Sequence, residues 1–399
     1  MSEARPDFYF NPFDPQFRAN PYPHYPALLE GPPRLARLFV PTALVARYDD
    51  VMAVLRGAEF STRRPEIPIR ERIEVFGGAP TILTSDPPVH TRLRKLVSKA
   101  FTPRRIRELE PRIRAIAAEL LDKVAARGEF EAMSDLANPL PVIVIAEMLG
   151  LPIGHHEQFK RWSNALISGF RPDPVGGIPE QSIRARDALR AYFADEIEKR
   201  RAAPGQDLVS ALVAARDEAE ALSEGELLAF VILLLLAGNE TTTNLIGNGL
   251  LALCRHREQL ERLQHEPELT PKAIEEMLRF DPPVQMTVRT ALRDTNVGGT
   301  DIAADTFILV MLAAANRDPR KFPNPEVFDV ARDPNDHVSF GEGIHFCIGA
   351  PLARLEGAIA ISSVLTRFAG LRLADPHASL SYRGSLALRG LSQLPLAID

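Results

Sequence analysis

The sequence predicts a mainly α-helical fold with small β-sheets, and three observations support this. A capping box, Ser223-Glu224-Gly225-Glu226, opens a helix that we expect to reach about Arg257. Amphipathic stretches separated by Pro and Gly occupy residues 108–220. The strand-like segments are short, and two of them, 38–41 and 43–48, suggest a hairpin near the N-terminus.

Length alone would suggest roughly two or three domains, but the sequence shows no sign of a boundary between them. The chain has 399 residues, of which 45% are hydrophobic, so it can bury a large core. No linker, low-complexity tract or repeat divides it, and its 34 prolines are spread along the chain as helix starts and turns. We therefore expect a single domain over residues 1–399, with a helix-rich body and a small β-rich part near the N-terminus.

Charge and cysteine content exclude several classes of protein. A net charge of −5 argues against general nucleic-acid binding, which needs a basic surface. The N-terminus carries no apolar signal region, and the longest apolar run, 227–237, is too short to cross a bilayer. The only cysteines, Cys254 and Cys347, lie far apart, which disfavours a disulfide framework. We expect a cytoplasmic monomer with no membrane anchor.

The signal Ser85-Asp86-Pro87-Pro88 starts a helix that carries two basic side chains on one face. His90 and Arg94 are four residues apart, so both can donate to one carboxylate group. Taken alone, such a pair is more often a solvated surface than a ligand site. Residues 87–107 also contain seven Lys or Arg, Arg92 and Lys99 among them, and no acid. That excess can attract an acidic partner.

The predicted long helix has a polar interruption in its apolar middle. Residues 227–237 are almost all apolar, which places the helix in the interior, but Gly238-Asn239-Glu240-Thr241-Thr242-Thr243 follows. A carboxylate and hydroxyls in a core are costly unless they are paired or hydrated. Six such residues together favour a functional site over ordinary helix polarity.

Glu276 and Arg279 lie at positions i and i+3 of a helix that ends before Asp281-Pro282-Pro283-Val284. Alone, an E-x-x-R pair usually marks a surface ion pair worth under about 1 kcal/mol. Residues 283–289 and 306–310 follow as β-prone segments of a small sheet.

A lone cysteine between glycines precedes the last long helix. The stretch runs Phe340-Gly341-Glu342-Gly343-Ile344-His345-Phe346-Cys347-Ile348-Gly349, and helical residues 350–368 follow. Glycines allow tight turns and close approach to a flat ligand. Unpaired amides and the dipole at a helix start favour a thiolate, which is a good axial ligand for haem iron. A bare G-x-C-x-G would instead indicate a buried free cysteine.

These patterns, at these separations, resemble the cytochrome P450 family from about Asp86 to the end of the chain. The resemblance implies a P450-like fold with a long central helix over haem b (iron protoporphyrin IX) and Cys347 as the iron ligand. Side chains that match the family's propionate-binding groups are His90, Arg94, Arg289 and His345. The other implied cofactor-binding residues are Ala237, Phe340, Gly341 and Gly349.

The resemblance also implies roles for residues away from the cysteine. Glu240 and Thr241 match an acid–alcohol pair that manages protons during oxygen activation. Glu276 and Arg279 match a structural ion pair beneath the haem. Its third member is expected at Arg332, although a common alternative location falls on Val327. The expected substrate-pocket residues are Phe76, Ile82, Leu83, Val284, Met286 and Leu391.

The implied function is a haem-thiolate monooxygenase that inserts one oxygen atom from O₂ into a C–H bond of a hydrophobic small molecule. Fatty acids, terpenoids or steroids, and polyketide-type metabolites are the expected substrates. Electrons from NAD(P)H would arrive through a ferredoxin reductase and a ferredoxin, docked on the basic residues of 87–107. Rival classes are a peroxide-driven peroxygenase, which would not need Glu240 and Thr241, and a haem-binding sensor or carrier. A helical scaffold without haem is a third alternative.

Overall fold

The computed structural model describes residues 14–37, 40–63, 74–98, 101–169, 177–214, 222–383 and 387–398. The helices of these residues are α1 Pro15–Ala19, α2 Tyr25–Leu29, α3 Tyr48–Arg56, α4 Val89–Ser98, α5 Pro103–Arg127, α6 Pro139–Met148, α7 His156–Gly169, α8 Glu180–Ala202, α9 Leu208–Ala214, α10 Glu224–Arg255, α11 Arg257–His265, α12 Thr270–Phe280, α13 Leu312–Ala315 and α14 Ala350–Arg367. The predicted fold class, mainly α with small sheets, is confirmed.

The strands of these residues are β1 Arg34–Arg37, β2 Pro41–Val45, β3 Phe60–Ser61, β4 Phe130–Glu131, β5 Thr287–Ala291, β6 Thr295–Val297, β7 Thr300–Ile302, β8 Phe307–Val310, β9 Arg372–Leu373, β10 Tyr382–Arg383, β11 Gly390–Leu391 and β12 Pro395–Ala397. One sheet has the order β1-β2-β8-β5-β3, in which only β2 and β8 run parallel. The smaller sheets are β4-β12-β9, β10-β11 and β6-β7.

The five-stranded sheet is packed on both faces because its side chains alternate. Along β2, Ala43 and Val45 join a core cluster with α3, whereas Leu44 joins a second cluster with α2. Strand β8 repeats this division, with Ile308 in the first cluster and Leu309 in the second. The helical body has a separate and larger core.

Helix α10 crosses the interior of the body. The Ser223 hydroxyl accepts from the Glu226 N–H, and the Glu226 carboxylate accepts from the Ser223 N–H at 2.8 Å, so the predicted capping box forms. Among the described helices, α10 is the one long and apolar enough to cross a membrane, but 83% of its most apolar window is buried inside the fold. It therefore packs as a core helix.

Glycines bring three helices close together next to the cysteine. A Cβ on Gly357 of α14 would lie 3.0 Å from Leu245 of α10. A Cβ on Gly249 of α10 would lie 2.6 Å from the Met277 Sδ of α12. Because these positions carry no side chain, α12 and α14 pack closely against α10.

Three element boundaries differ from the sequence prediction. The hairpin consists of β1 and β2 at 34–37 and 41–45. The prediction placed its first strand too late, because β1 is an edge strand and its arginines made it look unlike a strand. The strand expected from 283 begins at Thr287, after two prolines that cannot donate to a ladder. Helix α10 ends at Arg255, where His256 leaves the helical conformation and α11 begins.

Candidate functional site

Residues 340–349, here called the cysteine loop, form a closed turn before α14. The backbone N–H of Cys347 donates to the Phe340 carbonyl at 2.9 Å. Gly341 and Gly343 have φ values of +71° and +70°, in the region that side-chain-bearing residues avoid. A Cβ on Gly343 would also lie 2.7 Å from the carbonyl oxygen of Leu55. The loop geometry therefore requires glycine at both positions.

The side chain of Cys347 is exposed at the end of this loop. Burial among the surrounding protein atoms nevertheless raises the pKa of its thiol. The N–H groups of Gly349 and Ala350 and the charges of Arg94 and Arg354 lower that pKa, but they do not outweigh burial. The helix start therefore lowers the pKa of Cys347, but burial opposes it more strongly. A further positive centre is needed.

Four basic side chains converge near the cysteine loop. They are His90 and Arg94 of α4, Arg289 of β5 and His345 of the loop itself. The rings of His90 and His345 lie 4.4 Å apart, centroid to centroid. The charge of Arg94 acts on both His90 and Cys347, and the charge of Arg289 acts on His345. We call these four side chains the basic cluster.

Among the described residues, no carboxylate is paired with a member of the basic cluster. In the part of the chain that the structure describes, none of its members forms an ion pair, and the buried Nε2 of His90 has no hydrogen-bond partner. Burial, and then neighbouring positive groups, lower the pKa of His90 and that of His345, the latter to about 4. Burial also lowers the pKa of the Arg94 and Arg289 guanidinium groups. Buried cations without counter-ions are costly, so the cluster fits an anionic ligand.

Asp86 is the acid whose charge reaches this cluster, but it is occupied elsewhere. Its carboxylate accepts from the Thr62 N–H at 3.0 Å and from the Ser61 hydroxyl. Burial opposes the effect, yet these hydrogen bonds lower the pKa of Asp86. Its single charge cannot balance four basic groups.

The central helix α10 is buried along most of its length but accessible around Ala237. Between residues 226 and 254, Ala237 is the one exposed residue of α10, and Gly238 and Thr241 beside it are half-buried. Ala237 and Thr241 share one helix face, and the Thr241 hydroxyl donates to the Ala237 carbonyl at 2.8 Å. These small residues leave one face of α10 accessible.

Comparison with known proteins decides the family. The family model described as Cytochrome P450 matches residues 33–158 and 176–381. The chain belongs to the cytochrome P450 family. It is 41% identical to a vitamin D(3) 25-hydroxylase from Pseudonocardia autotrophica, over 97% of this chain and 96% of that one. It is 43% identical to the 6-deoxyerythronolide B hydroxylase of Saccharopolyspora erythraea, over 79% and 77% of the two chains.

A solved structure of the same family matches the whole fold. The cytochrome P450 PksS of the Bacillus subtilis 168 bacillaene polyketide synthase superposes with a TM-score of 0.90 at 39% identity. The match covers 98% of this chain and 100% of PksS. Like its relatives, this protein is a cytochrome P450 monooxygenase.

Cytochrome P450s carry haem b on a cysteine thiolate, and the residues of this P450 fit that group. An iron ion bound at Cys347 would supply the positive centre that its thiol lacks. The two propionates of haem would supply the negative charge that the basic cluster lacks, including an acceptor for His90 Nε2. The small side chains of Ala237 and Thr241, with Gly238, leave room for a flat ring system beside α10.

Glu240 of this P450 is buried and already paired. Its carboxylate is 2% exposed and accepts from Lys160 Nζ at 2.9 Å. The Nε of Arg383 lies 3.7 Å from the other carboxylate oxygen. Lys160 also donates to Asn239 Oδ1 at 3.0 Å, and burial lowers its pKa while Glu240 raises it. Helix α7 thus provides the partner that an acid in a core requires.

Glu276 and Arg279 form a fully buried ion pair on α12. The Arg279 Nε lies 2.8 Å from Glu276 Oε2, and both side chains are 0% exposed. Arg332 lies 3.1 Å from the same oxygen and is the third member. Val327, the alternative location, contributes only its carbonyl, which accepts from Arg279 and Arg332.

Two of the expected pocket residues lie in the core instead. Met286 is 2% exposed and packs in the cluster around α2, and Leu391 is 0% exposed. The alternation assumed from Val284 to Met286 fails because regular strand begins only at Thr287. The remaining four are half-buried or exposed: Phe76, Ile82, Leu83 and Val284.

The basic stretch of residues 87–107 is less available than its sequence suggested. Arg92 donates to both carboxylate oxygens of Glu226, and Arg104 pairs with Glu108 at 2.9 Å. Lys99 lies outside the described residues. Arg92 is therefore already paired within the fold, and docking of an electron donor on this stretch stays a prediction.

Sequence reasoning missed two basic residues beside the site, Lys160 and Arg354. The sequence weakly indicated that Lys160 is buried, since it follows the fully buried Phe159 on the amphipathic helix α7. Arg354 carried a stronger signal, because it lies seven residues after Cys347, in the second turn of the helix that starts at Ala350.

Proposed function

We propose that this P450 inserts one oxygen atom from O₂ into a C–H bond of a hydrophobic small molecule. One observation carries the proposal. An exposed cysteine thiol converges with four basic side chains that have no carboxylate partner among the described residues. That arrangement suits haem, and membership of the family supports the reaction class.

Each part of the site has a role toward the cofactor. Cys347 binds the iron, and the turn from Phe340 through Gly341 to Gly349 holds the sulfur in place. The basic cluster holds the propionates by charge-assisted hydrogen bonds. Haem, when bound, supplies the oxygen and electron-transfer chemistry. Ala237 keeps α10 from blocking the ring.

Glu240 and Thr241 handle protons on the central helix. Thr241 holds a proton on its hydroxyl at the open point of α10, where it donates to the Ala237 carbonyl. Glu240 exchanges protons with solvent through Lys160, whose side chain is 12% exposed. A hydroxyl beside a paired carboxylate can pass protons to a reacting centre through ordered water.

The substrate is a hydrophobic or amphipathic molecule that contacts apolar side chains near the haem. Phe76, Ile82, Leu83 and Val284 offer such surface. The names of the relatives refer to vitamin D(3), 6-deoxyerythronolide B and a polyketide synthase. We therefore expect a steroid-like or polyketide-type substrate, with a long-chain fatty acid as the alternative.

Electrons come from NAD(P)H through a ferredoxin reductase and a ferredoxin. The exposed Arg105 and Arg107 at the start of α5 are left to attract an acidic donor. On this proposal the protein is a cytoplasmic monomer with one domain over residues 1–399.

The iron ligand can be tested by replacing each cysteine in turn. Cys347→Ser is expected to remove the thiolate signature from the carbon monoxide difference spectrum of the reduced protein. Cys254→Ser, the matched control, changes a half-buried thiol whose pKa burial raises to about 12, and the spectrum should stay unaltered. An unaltered spectrum in Cys347→Ser would refute the assignment.

Turnover assays separate the proposed enzyme from its rivals. With a supplied ferredoxin, reductase and NADPH, product should contain one oxygen atom from labelled O₂. Product with hydrogen peroxide but not with the electron donors would identify a peroxygenase. Tight haem binding with no product under either condition, across steroid, polyketide and fatty-acid panels, would favour a sensor.

A further inference from the structure

Arg354 of α14 covers the aromatic ring that opens the cysteine loop. Its Cζ lies 4.6 Å from the centroid of the Phe340 ring, within the range of a cation–π contact. The Phe340 carbonyl accepts from the Cys347 N–H at 2.9 Å. Arg354 therefore contacts one end of the turn whose other end carries the thiol.

Glu275 fixes the guanidinium of Arg354 in that position. The Arg354 Nε and its terminal nitrogen donate to the two Glu275 oxygens at 2.7 and 2.8 Å, a bidentate pair. The neighbouring Glu276 is committed to the buried pair with Arg279. Two consecutive acids of α12 thus serve two different arginine partners.

His337 holds the Glu275 carboxylate from the other side. Its Nε2 lies 3.1 Å from Glu275 Oε2, and its ring is 6.0 Å from the Phe340 ring. Burial alone would raise the pKa of Glu275, but Arg354 and His337 lower it to about 2. The carboxylate stays ionised throughout the neutral range, so the pair keeps one charge of each sign.

The two charges act on the sulfur in opposite directions. Arg354 lies on the Phe340 ring at the start of the turn that carries Cys347, so its positive charge favours negative charge on the sulfur. The negative charge of Glu275 disfavours it. An electron added at the site is one more negative charge, which a nearby cation favours and a nearby anion disfavours.

We propose that Glu275 and Arg354, braced by His337, are positioning residues that set the reduction potential of the haem bound at Cys347. The inference rests on the proposed iron ligation by Cys347. The pair holds the Phe340 ring against the cysteine loop and adjusts the field at the sulfur by the balance of its two charges.

Potentiometric titration of the purified haem-loaded enzyme tests this by the sign of the shift. Arg354→Gln is expected to lower the midpoint potential, because it removes the cation and leaves Glu275 unbalanced. Glu275→Gln is expected to raise the midpoint potential, because it leaves Arg354 unbalanced. The double variant should fall between them, near the parent, because it removes both charges.

Two further variants separate charge from shape. Arg367→Gln removes an arginine from the far end of α14, where it pairs with Asp122 at 2.7 Å, and it should leave the potential unchanged. Arg354→Lys keeps the charge and should stay closer to the parent than Arg354→Gln does. If Arg354→Gln takes up no haem, a raised potential in Glu275→Gln beside unchanged potentials in Arg354→Lys and Arg367→Gln still decides the matter.

Shifts in the same direction for Arg354→Gln and Glu275→Gln, or shifts no larger than that of Arg367→Gln, would overturn the proposal. Such a result with a normal thiolate spectrum in the parent would leave the proposed function standing. A parent enzyme without that spectrum would refute the iron ligation itself.

Discussion

The Glu276 network and the basic cluster both contain buried arginines, but they differ in whether carboxylates of the chain balance their charge. Glu276 accepts from Arg279, Arg332 and Asn335 as well as from the Asp329 N–H, so its charge is fully compensated inside the chain. The basic cluster of His90, Arg94, Arg289 and His345 forms no ion pair with any described carboxylate. Both lie in interior regions, yet only the first is complete.

The difference distinguishes charges that hold the chain together from charges that bind a ligand. A guanidinium cannot lose its proton to escape burial, so its counter-charge must come from somewhere. In the Glu276 network that charge comes from the protein. In the basic cluster it comes from outside, and haem propionates meet the need.

The largest expected effect comes from breaking the balanced network. Glu276→Gln leaves Arg279 and Arg332 buried without a counter-charge, which we expect to lower the free energy of unfolding by about 3–5 kcal/mol. Chemical denaturation of the purified variant measures this. A loss below about 1 kcal/mol would mean that the network is no more than a surface pair.

A buried acid without a partner offers a contrasting case, because an acid can neutralise itself. Glu356 of α14 is 2% exposed, its Oε2 has no hydrogen-bond partner in the described part of the chain, and burial raises its pKa to about 8. The folded state then binds more protons than the unfolded state between the ordinary carboxyl pKa and pH 8, so stability falls as pH rises through that window.

Glu356→Gln should remove this pH dependence. The unfolding free energy of the variant relative to the parent should rise by about 3 kcal/mol from pH 5 to pH 8. Denaturation curves at pH 5, 6.5 and 8 measure the difference. A constant difference across the range would show that Glu356 is ionised or that it has a partner.

Removing one member of the basic cluster should weaken haem retention and spare the fold. Arg289→Ala removes one charge-assisted hydrogen bond worth about 1.5–3 kcal/mol, so haem should be lost about ten- to a hundredfold faster. Transfer of haem to apomyoglobin measures the rate, and Arg293→Ala at a nearby exposed position is the control. Equal rates for the two variants would remove Arg289 from the propionate site.

The smallest effect is expected where charges pair in water. Arg104 and Glu108 are 86% and 58% exposed and lie one turn apart on α5. Arg104→Ala should change the free energy of unfolding by less than about 0.5 kcal/mol. A larger decrease in the free energy of unfolding would mean that exposed ion pairs contribute more to the stability of this protein than their exposure suggests.

The parts of the site that lie on one helix or one turn could be predicted from sequence. The cysteine loop, the spacing of His90 and Arg94 and the capping box of α10 all depend on neighbours within a few residues. The pocket was predicted less well, because Met286 and Leu391 are placed by packing against distant elements. The state of the Cys347 thiol also depends on burial, which no local pattern records.

The sequence by itself determined which elements form, in what order, and which family they belong to, because helix starts, turns and glycine positions obey short-range rules. Only the tertiary structure decided which charges meet. Lys160 pairs with Glu240 across 80 residues, and Arg354 pairs with Glu275 across 79 residues. Such pairs form where packed helices bring distant side chains together, and that placement depends on the whole core.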